Sequence, residues 1–415
     1  MKTRFRQTGC LLLAALLTGC TTAPQITEHR HQTAISFSWW GNDKRTDYTL
    51  EGVRQFEKLH PDIRVICSYS EWSGYEDRNR VQMMSDTESD VMQVNFGWLS
   101  KYSPDGTGYY DMEKLSGTLD LTAFSDSALE YGRRAGILNA VPIAMNTETV
   151  YYNQTVYEKY GLELPKTWDD LFAAAAVMKP DGVFPTSGAA KSIWLYLLAY
   201  AEQKSGRQIL DADGKLCFTP ADFQTMIEMY VRMIKESVIP QVEYYDRANL
   251  DKGVYAGTVA WVSDAVSYLS GAIKAGNVCV PGDYTAFDPA QSGKGWYAKP
   301  ATLYAISKNT EHPQEAAMLL DFLLNSKEMA ELQGVEKGIP LSSKAKGFLD
   351  DAGIMTGIQY EASQKMEHTE GMLKMQPFLE NSGFIDAFVD ACNQVLYDKS
   401  TPADAAQALW EQAKK

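Results

Sequence analysis

Ile35, Phe37 and Trp39 alternate with Ser36 and Ser38, a period of two that predicts a half-buried strand ending at Trp40-Gly41-Asn42-Asp43. The period then changes to that of a helix. Leu50, Val53, Phe56 and Leu59 fall on one side of it, and His60-Pro61 stops it, because a residue before proline is pushed out of the helical region. Alternation returns at Ile63, Val65 and Cys67 as a second strand, followed by the polar and aromatic loop Glu71-Trp72-Ser73-Gly74-Tyr75. A helix around Arg78 to Met84 and a third strand over Val91 to Phe96 complete a βαβαβ order, the opening of a doubly wound sheet with parallel strands. Ligands of such sheets sit beyond the carboxyl ends of the strands. That rule singles out three loops, Trp40 to Asp43, Trp72 to Tyr75, and Asn95-Phe96-Gly97-Trp98. Any one of these tryptophans is as readily a cap on the core; their recurrence at three strand ends points to a site.

The stretch Val141 to Asn153 has a different character. β-branched and aromatic residues make it extended, Pro142 stands at its entrance, and the polar run Asn146-Thr147-Glu148 interrupts what would otherwise be a strand apolar on both faces. This suits a segment that leaves one sheet and enters another, an interdomain hinge centred on Asn146 and Thr147.

Beyond it, Thr167-Trp168-Asp169-Asp170 is a capping box opening a helix, Ser192 to Tyr200 is a strongly apolar helix containing Trp194, and Ile209 to Phe218 reads as a hairpin turning at Asp213-Gly214. Asp211-Ala212-Asp213-Gly214 lacks the sixth-position glycine and twelfth-position glutamate of a calcium loop. Phe223, Met226, Ile227, Tyr230, Met233 and Ile234 form one apolar helical stripe. Gly257 to Val262 is a short strand leading to Ser263 and Asp264, and Val278 to Lys299, rich in Gly and Pro, is loop or edge strand. A strand at Leu303 to Ile306, helices from Pro313 to Leu332, a turn at Gly338-Ile339-Pro340 and a helical C-terminus finish the chain.

Length changes this picture by requiring more than one core: 415 residues correspond to two or three domains. The first residues stand apart from the fold. Lys2, Arg4 and Arg6 precede the apolar run Leu11 to Leu17, too short to span a bilayer, and Leu17-Thr18-Gly19-Cys20 matches the bacterial lipobox. The resemblance to lipoprotein signals implies cleavage before Cys20, lipidation of its thiol, and a chain tethered to the outer face of the bacterial cell membrane, with Thr21 to Thr33 as spacer. Losing three basic residues would take the formal net charge from −14 to −17. So acidic a chain argues against nucleic acid as a partner and disfavours an anionic ligand, while leaving room for a local basic pocket. Cys67, Cys217, Cys279 and Cys392 lie far apart without zinc-type spacing and are expected as buried free thiols. No nucleophile elbow, His-Glu-x-x-His, P-loop or dinucleotide fingerprint is present, so no enzyme, cofactor or metal is expected. A glycosidase needs only two carboxylates, which 53 acidic residues do not exclude.

Val141 to Asn146 running on to Tyr151-Tyr152-Asn153, then Leu164-Pro165-Lys166-Thr167-Trp168-Asp169-Asp170-Leu171, Ala305-Ile306-Ser307-Lys308 with Pro313 to Leu324, and Gly338-Ile339-Pro340, together with the lipobox, carry a family likeness. The chain resembles, over nearly all its mature length, the extracytoplasmic solute-binding proteins of ABC importers, in the carbohydrate-binding group that includes maltose-binding protein. The likeness implies a periplasmic-binding-protein fold of the class II type, two α/β lobes joined by hinge segments. The first lobe would hold 34–146 and 300–340, the second 147–299 and 341–415. It further implies a monomer that closes around a carbohydrate and presents it to ABC transporter permease subunits. Because a pyranose has an apolar face and a rim of hydroxyls, the expected plates are Trp72, Trp98, Trp261 and Trp296, with Tyr75 and Trp194 behind them. Asn42, Asp43, Asn95 and Asp264 are the expected hydroxyl partners, and Met145 is expected at the ligand. A binder of a peptide, polyamine or metal complex is the alternative, then a surface glycan hydrolase or adhesin.

Overall fold

The computed structural model describes residues 32–211 and 214–414, so Cys20, the signal segment and the Ala212-Asp213 part of the proposed hairpin turn lie outside the described residues. Strand β1 (Thr33–Trp40) leads into helix α1 (Asp43–Leu59), β2 (Ile63–Ser70) into α2 (Trp72–Ser85), and β3 (Val91–Val94) into α3 (Phe96–Tyr102). β1 pairs in parallel with both β2 and β3, as the βαβαβ order predicts. Two expected loops are instead helix. α2 begins at Trp72 and α3 at Phe96, because Asn95 caps the latter by accepting from the Gly97 N–H at 2.9 Å, leaving almost no loop after either strand. Leu59, placed on the apolar side of α1, is exposed at its C-terminal end.

A hairpin of β4 (Arg133–Arg134) and β5 (Ile137–Leu138) follows, turning through Ala135 and Gly136, both at positive φ. Then comes β6 (Ala140–Asn153), a single 14-residue strand. β7 (Gly257–Trp261), β8 (Cys279–Pro281), β9 (Tyr297–Ile306) and β10 (Leu373–Lys374) complete a sheet of order β2-β1-β3-β9-β6-β7, with β8 on β6 and β10 on β9. β6 changes partner half-way. Ala140 to Thr147 pair antiparallel with β9, whereas Glu148 to Tyr152 pair with β7 and Tyr151 to Asn153 with β8.

The apolar residues gather on either side of this change. Ile35, Phe37, Trp39, Val91, Tyr304 and Leu320 belong to one buried cluster, and Val150, Trp168, Leu197, Met226, Tyr230 and Phe388 to another. Each such side chain contributes about 1.5–3 kcal/mol by leaving water, and each cluster forms the apolar core of one half. The fold is therefore two-lobed α/β. β9, expected as a short strand from Leu303, starts at Tyr297 and is a second crossing strand; Pro300 within it disguised its N-terminal half. A third crossing is Gly338 to Leu341, where the Leu341 N–H donates to Ile143 O at 2.9 Å and Pro340 bridges Ala144. Among the described residues of the span Ile209 to Phe218, Leu210 bridges Leu216 antiparallel, and the Asp211 N–H donates to Lys215 O at 3.0 Å and the Cys217 N–H to Ile209 O at 2.8 Å, without named strands. The four cysteines are unpaired, but only Cys392 is buried; Cys67, Cys217 and Cys279 are half-buried.

Candidate functional site

Where β1 and β2 end, a cleft of about 680 Å³ opens towards the turn after β7, lined by Trp40, Asn42, Arg45 and Trp72 on one side and by Ser263 and Asp264 on the other. Strand alternation creates its aromatic wall. With Trp39 turned into the core, Trp40 faces the other way, and its ring centroid lies 5.0 Å from Trp72, 5.4 Å from Tyr75 and 5.9 Å from Trp98. Trp98, 5% exposed, lies nearly parallel to Trp72 at 5.6 Å and to Tyr75 at 6.0 Å. Trp72 is the outermost ring, 39% exposed, and rests on this stack. An aromatic face held from behind by three others presents a rigid apolar plate at no entropic cost on binding.

On the opposite side, Trp261 ends β7 directly across from Glu148 of β6. Lys299 and Lys191 hold their ammonium groups 4.6 and 5.2 Å from its ring centroid. Both donate to Glu380 Oε1, Lys299 at 2.5 Å. Burial would raise the Glu380 carboxyl, but the two lysines outweigh it and hold it below the usual range. Burial lowers Lys299 against the pull of Glu380. Glu148 is fully enclosed, and burial pushes its carboxyl up to about 8. Ser192 Oγ donates to its Oε1 at 2.9 Å, and its Oε2 has no hydrogen-bond partner among the described residues. Asp264 is likewise raised by burial, opposed by Arg45 and Arg247. Asn146 joins the halves: its Nδ2 donates to Ser263 Oγ at 2.9 Å and its Oδ1 accepts from the Ser263 N–H at 3.1 Å.

The residues expected from sequence divide three ways. Asn42, Trp72 and Asp264 line the cleft, with Trp98 directly behind the wall and Trp261 on the lysine side. Asn42 also caps α1, accepting from the Arg45 N–H at 2.9 Å. Others are displaced. Asp43 is an exposed first-turn residue of α1 outside the cleft lining, Asn95 uses its side-chain oxygen as a cap, and Tyr75 is buried with its hydroxyl donating to Gln93 O at 2.7 Å. Met145 faces a separate apolar cavity of about 170 Å³ with Ile339 and Met366. Two tryptophans are core. Trp194, 0% exposed, donates its indole N–H to Leu379 O and packs against Phe384 and Phe388; Trp296 packs between Tyr196 and Tyr284. Asn146 is not outside the sheet but paired with Lys299 near the end of the β9 ladder, and Thr147 follows it, donating to Tyr297 O at 2.8 Å. Sequence reasoning missed Lys191, Lys299 and Glu380, and placed Trp40 in a candidate ligand loop without counting it among the plates. Only Trp40 had a signal, since alternation that buries Trp39 must turn Trp40 outward.

The model of the family described as bacterial extracellular solute-binding protein matches residues 42–330. The chain belongs to this family. A periplasmic solute-binding protein from Pectobacterium atrosepticum SCRI1043 has a similar structure, with a TM-score of 0.86 at 29% identity, covering 92% of this chain and 98% of that one. So does a periplasmic oligogalacturonide binding protein from Yersinia enterocolitica, solved in complex with saturated digalacturonic acid, with a TM-score of 0.82 at 31% identity over 92% of this chain and 100% of that one. In sequence, the melibiose/raffinose/stachyose-binding protein of Bacillus subtilis (strain 168) is 22% identical over 97% of this chain and 94% of its own. These relatives are binding proteins of a family named as extracellular, and no helix among the described residues is long and apolar enough to cross a membrane.

Proposed function

We propose that the chain captures an oligosaccharide in the cleft between its lobes and delivers it to the permease of an ABC importer. The observation that carries this reading is the Trp72 plate, backed by Trp40, Trp98 and Tyr75, facing Ser263 and Asp264 across an open cleft. Such a surface matches a sugar ring, with its apolar C–H face against the indole and its hydroxyls towards polar side chains. Relatives named for melibiose, raffinose, stachyose and oligogalacturonides support the same class.

The lobes are taken as 34–146 with 300–340, and 147–299 with 341–415, a division supported by the two apolar clusters and by the change of partner between Thr147 and Glu148. Closure around ligand would use the three crossing segments, with Asn146 and Thr147 at the hinge. The lipobox at Cys20 is the proposed anchor to the outer face of the membrane. A thermal-shift screen with mono- and oligosaccharides tests the reading. Binding at 100 Kd adds about 2.7 kcal/mol to stability, so one saccharide class should raise the melting temperature by several degrees. That shift should be lost in Trp72→Ala and in Trp261→Ala. A panel without any shift would refute the saccharide assignment and leave the fold untouched.

A further inference from the structure

α3, which supplies Trp98, and β9, which supplies Lys299, also border a second opening of about 620 Å³, whose lining includes Phe96, Arg134, Gln208, Asp211, Lys374 and Gln376. Its two cations come from opposite sides. Arg134 sits on the β4–β5 hairpin beside the first apolar cluster, and Lys374 on β10, next to Met375 and Leu379 of the second. Neither has a carboxylate partner among the described residues, in contrast with the adjacent Arg133, which pairs with Glu113 at 2.6 Å.

The Arg134 guanidinium is also incompletely satisfied. Its Nε is buried and donates to nothing among the described residues, a costly state for a charged donor unless something fills it. Lys374 lies 5.0 Å from the ring centroid of Tyr131 and 6.0 Å from that of Phe96, and it donates to the Glu130 carbonyl at 3.5 Å. Burial lowers the lysine, Glu130 opposes this, and Arg134 adds a smaller lowering, the mark of a repulsion between the two cations. Asp211, the acidic residue of the lining, is engaged at its own turn, its Oδ1 accepting from the Lys215 N–H at 2.8 Å.

On the saccharide reading above, we infer that this opening is a carboxylate subsite and that the natural ligand is an oligosaccharide containing a uronic acid. The outer N–H groups of a planar guanidinium match a carboxylate in two-point geometry, and an ammonium opposite supplies the second charge. The site would place a ring carboxylate between Arg134 and Lys374 while the neighbouring sugar reaches towards Trp261 and its lysines. Neutralising two cations that face each other from opposite lobes also removes a repulsion against closure, so the charged group of the ligand itself favours the closed form. The acidic character of the whole chain, formally −14, is thus a poor guide, because this opening is locally basic.

Isothermal titration with digalacturonate, its neutral methyl ester and the neutral trisaccharide raffinose tests the inference. The acid should bind at least about tenfold more tightly than the ester, since a charge-assisted hydrogen bond contributes about 1.5–3 kcal/mol. Arg134→Gln and, independently, Lys374→Gln should each bring the acid-to-ester ratio down towards one. Added salt should weaken the acid more than the ester. Equal binding of acid and ester, or variants that weaken both alike, would overturn the carboxylate subsite while leaving the saccharide reading in place. Raffinose binding alone would do the same. No binding by any of the three, nor by any other saccharide, would overturn both.

Discussion

At the scale of single residues, the site contains a group whose state depends on its surroundings. Glu148 is enclosed at the point where β6 changes sheets, and burial raises its carboxyl from 4.5 to about 8. Near pH 7 it is therefore protonated in the folded protein and ionised in the unfolded chain. Between those two values the folded state binds the extra proton, so the stability this group contributes is complete below about pH 4.5 and falls as pH rises towards about 8. Glu148→Gln keeps an acceptor for Ser192 Oγ and removes the titration. Chemical denaturation at about pH 5 and about pH 8 should show the variant gaining on the wild type at the higher pH, by a few kcal/mol at most. A difference between the two proteins that does not change with pH would mean that Glu148 is ionised in the fold. The same residue explains part of what the sequence conceals. Its position in an apolar strand was visible, but the lysines that approach it come from residues 191 and 299, far away along the chain.

At the scale of elements, the parallel opening of the sheet was legible because alternation and helical period are local properties; β1 ends at Trp40 and β2 starts at Ile63 where the pattern puts them, and α1 stops before His60-Pro61 as expected but starts at Asp43, well before the first periodic position Leu50. β6 was legible for a further reason: a polar triplet inside an apolar strand has to be accommodated, and Asn146 does so by gripping Ser263. What was not legible depends on partners. Trp194 and Trp296 carry the same indole as Trp72, and only packing against Phe384, Phe388, Tyr196 and Tyr284 decides that they are core. The third crossing carries its own prediction. Gly338 has φ +103°, and a Cβ there would come within 2.8 Å of the Ala144 Cβ on β6. Gly338→Ala should cost about 1–3 kcal/mol from backbone strain alone, read as a lowered urea midpoint with an unchanged denaturant slope. An unaltered midpoint would show that this segment does not pack against β6 as described.

At the scale of the molecule, the two apolar clusters, the three crossings and the cleft belong to one arrangement. A strand shared by both halves fixes their spacing, while the side chains that line the cleft stand at element ends. The wall of Trp40, Trp72 and Trp98 rides on β1, α2 and α3; Ser263 and Asp264 follow β7. The proposed closure would bring a plate and a polar edge together around whatever lies between. The most direct measurement is a crystal structure of the protein grown with the saccharide ranked first by the thermal-shift screen. The predicted result is a sugar ring stacked on Trp72 with a hydroxyl in hydrogen-bond reach of Asp264 or Ser263. A saccharide bound elsewhere, with the cleft between Trp72 and Asp264 empty, would contradict it.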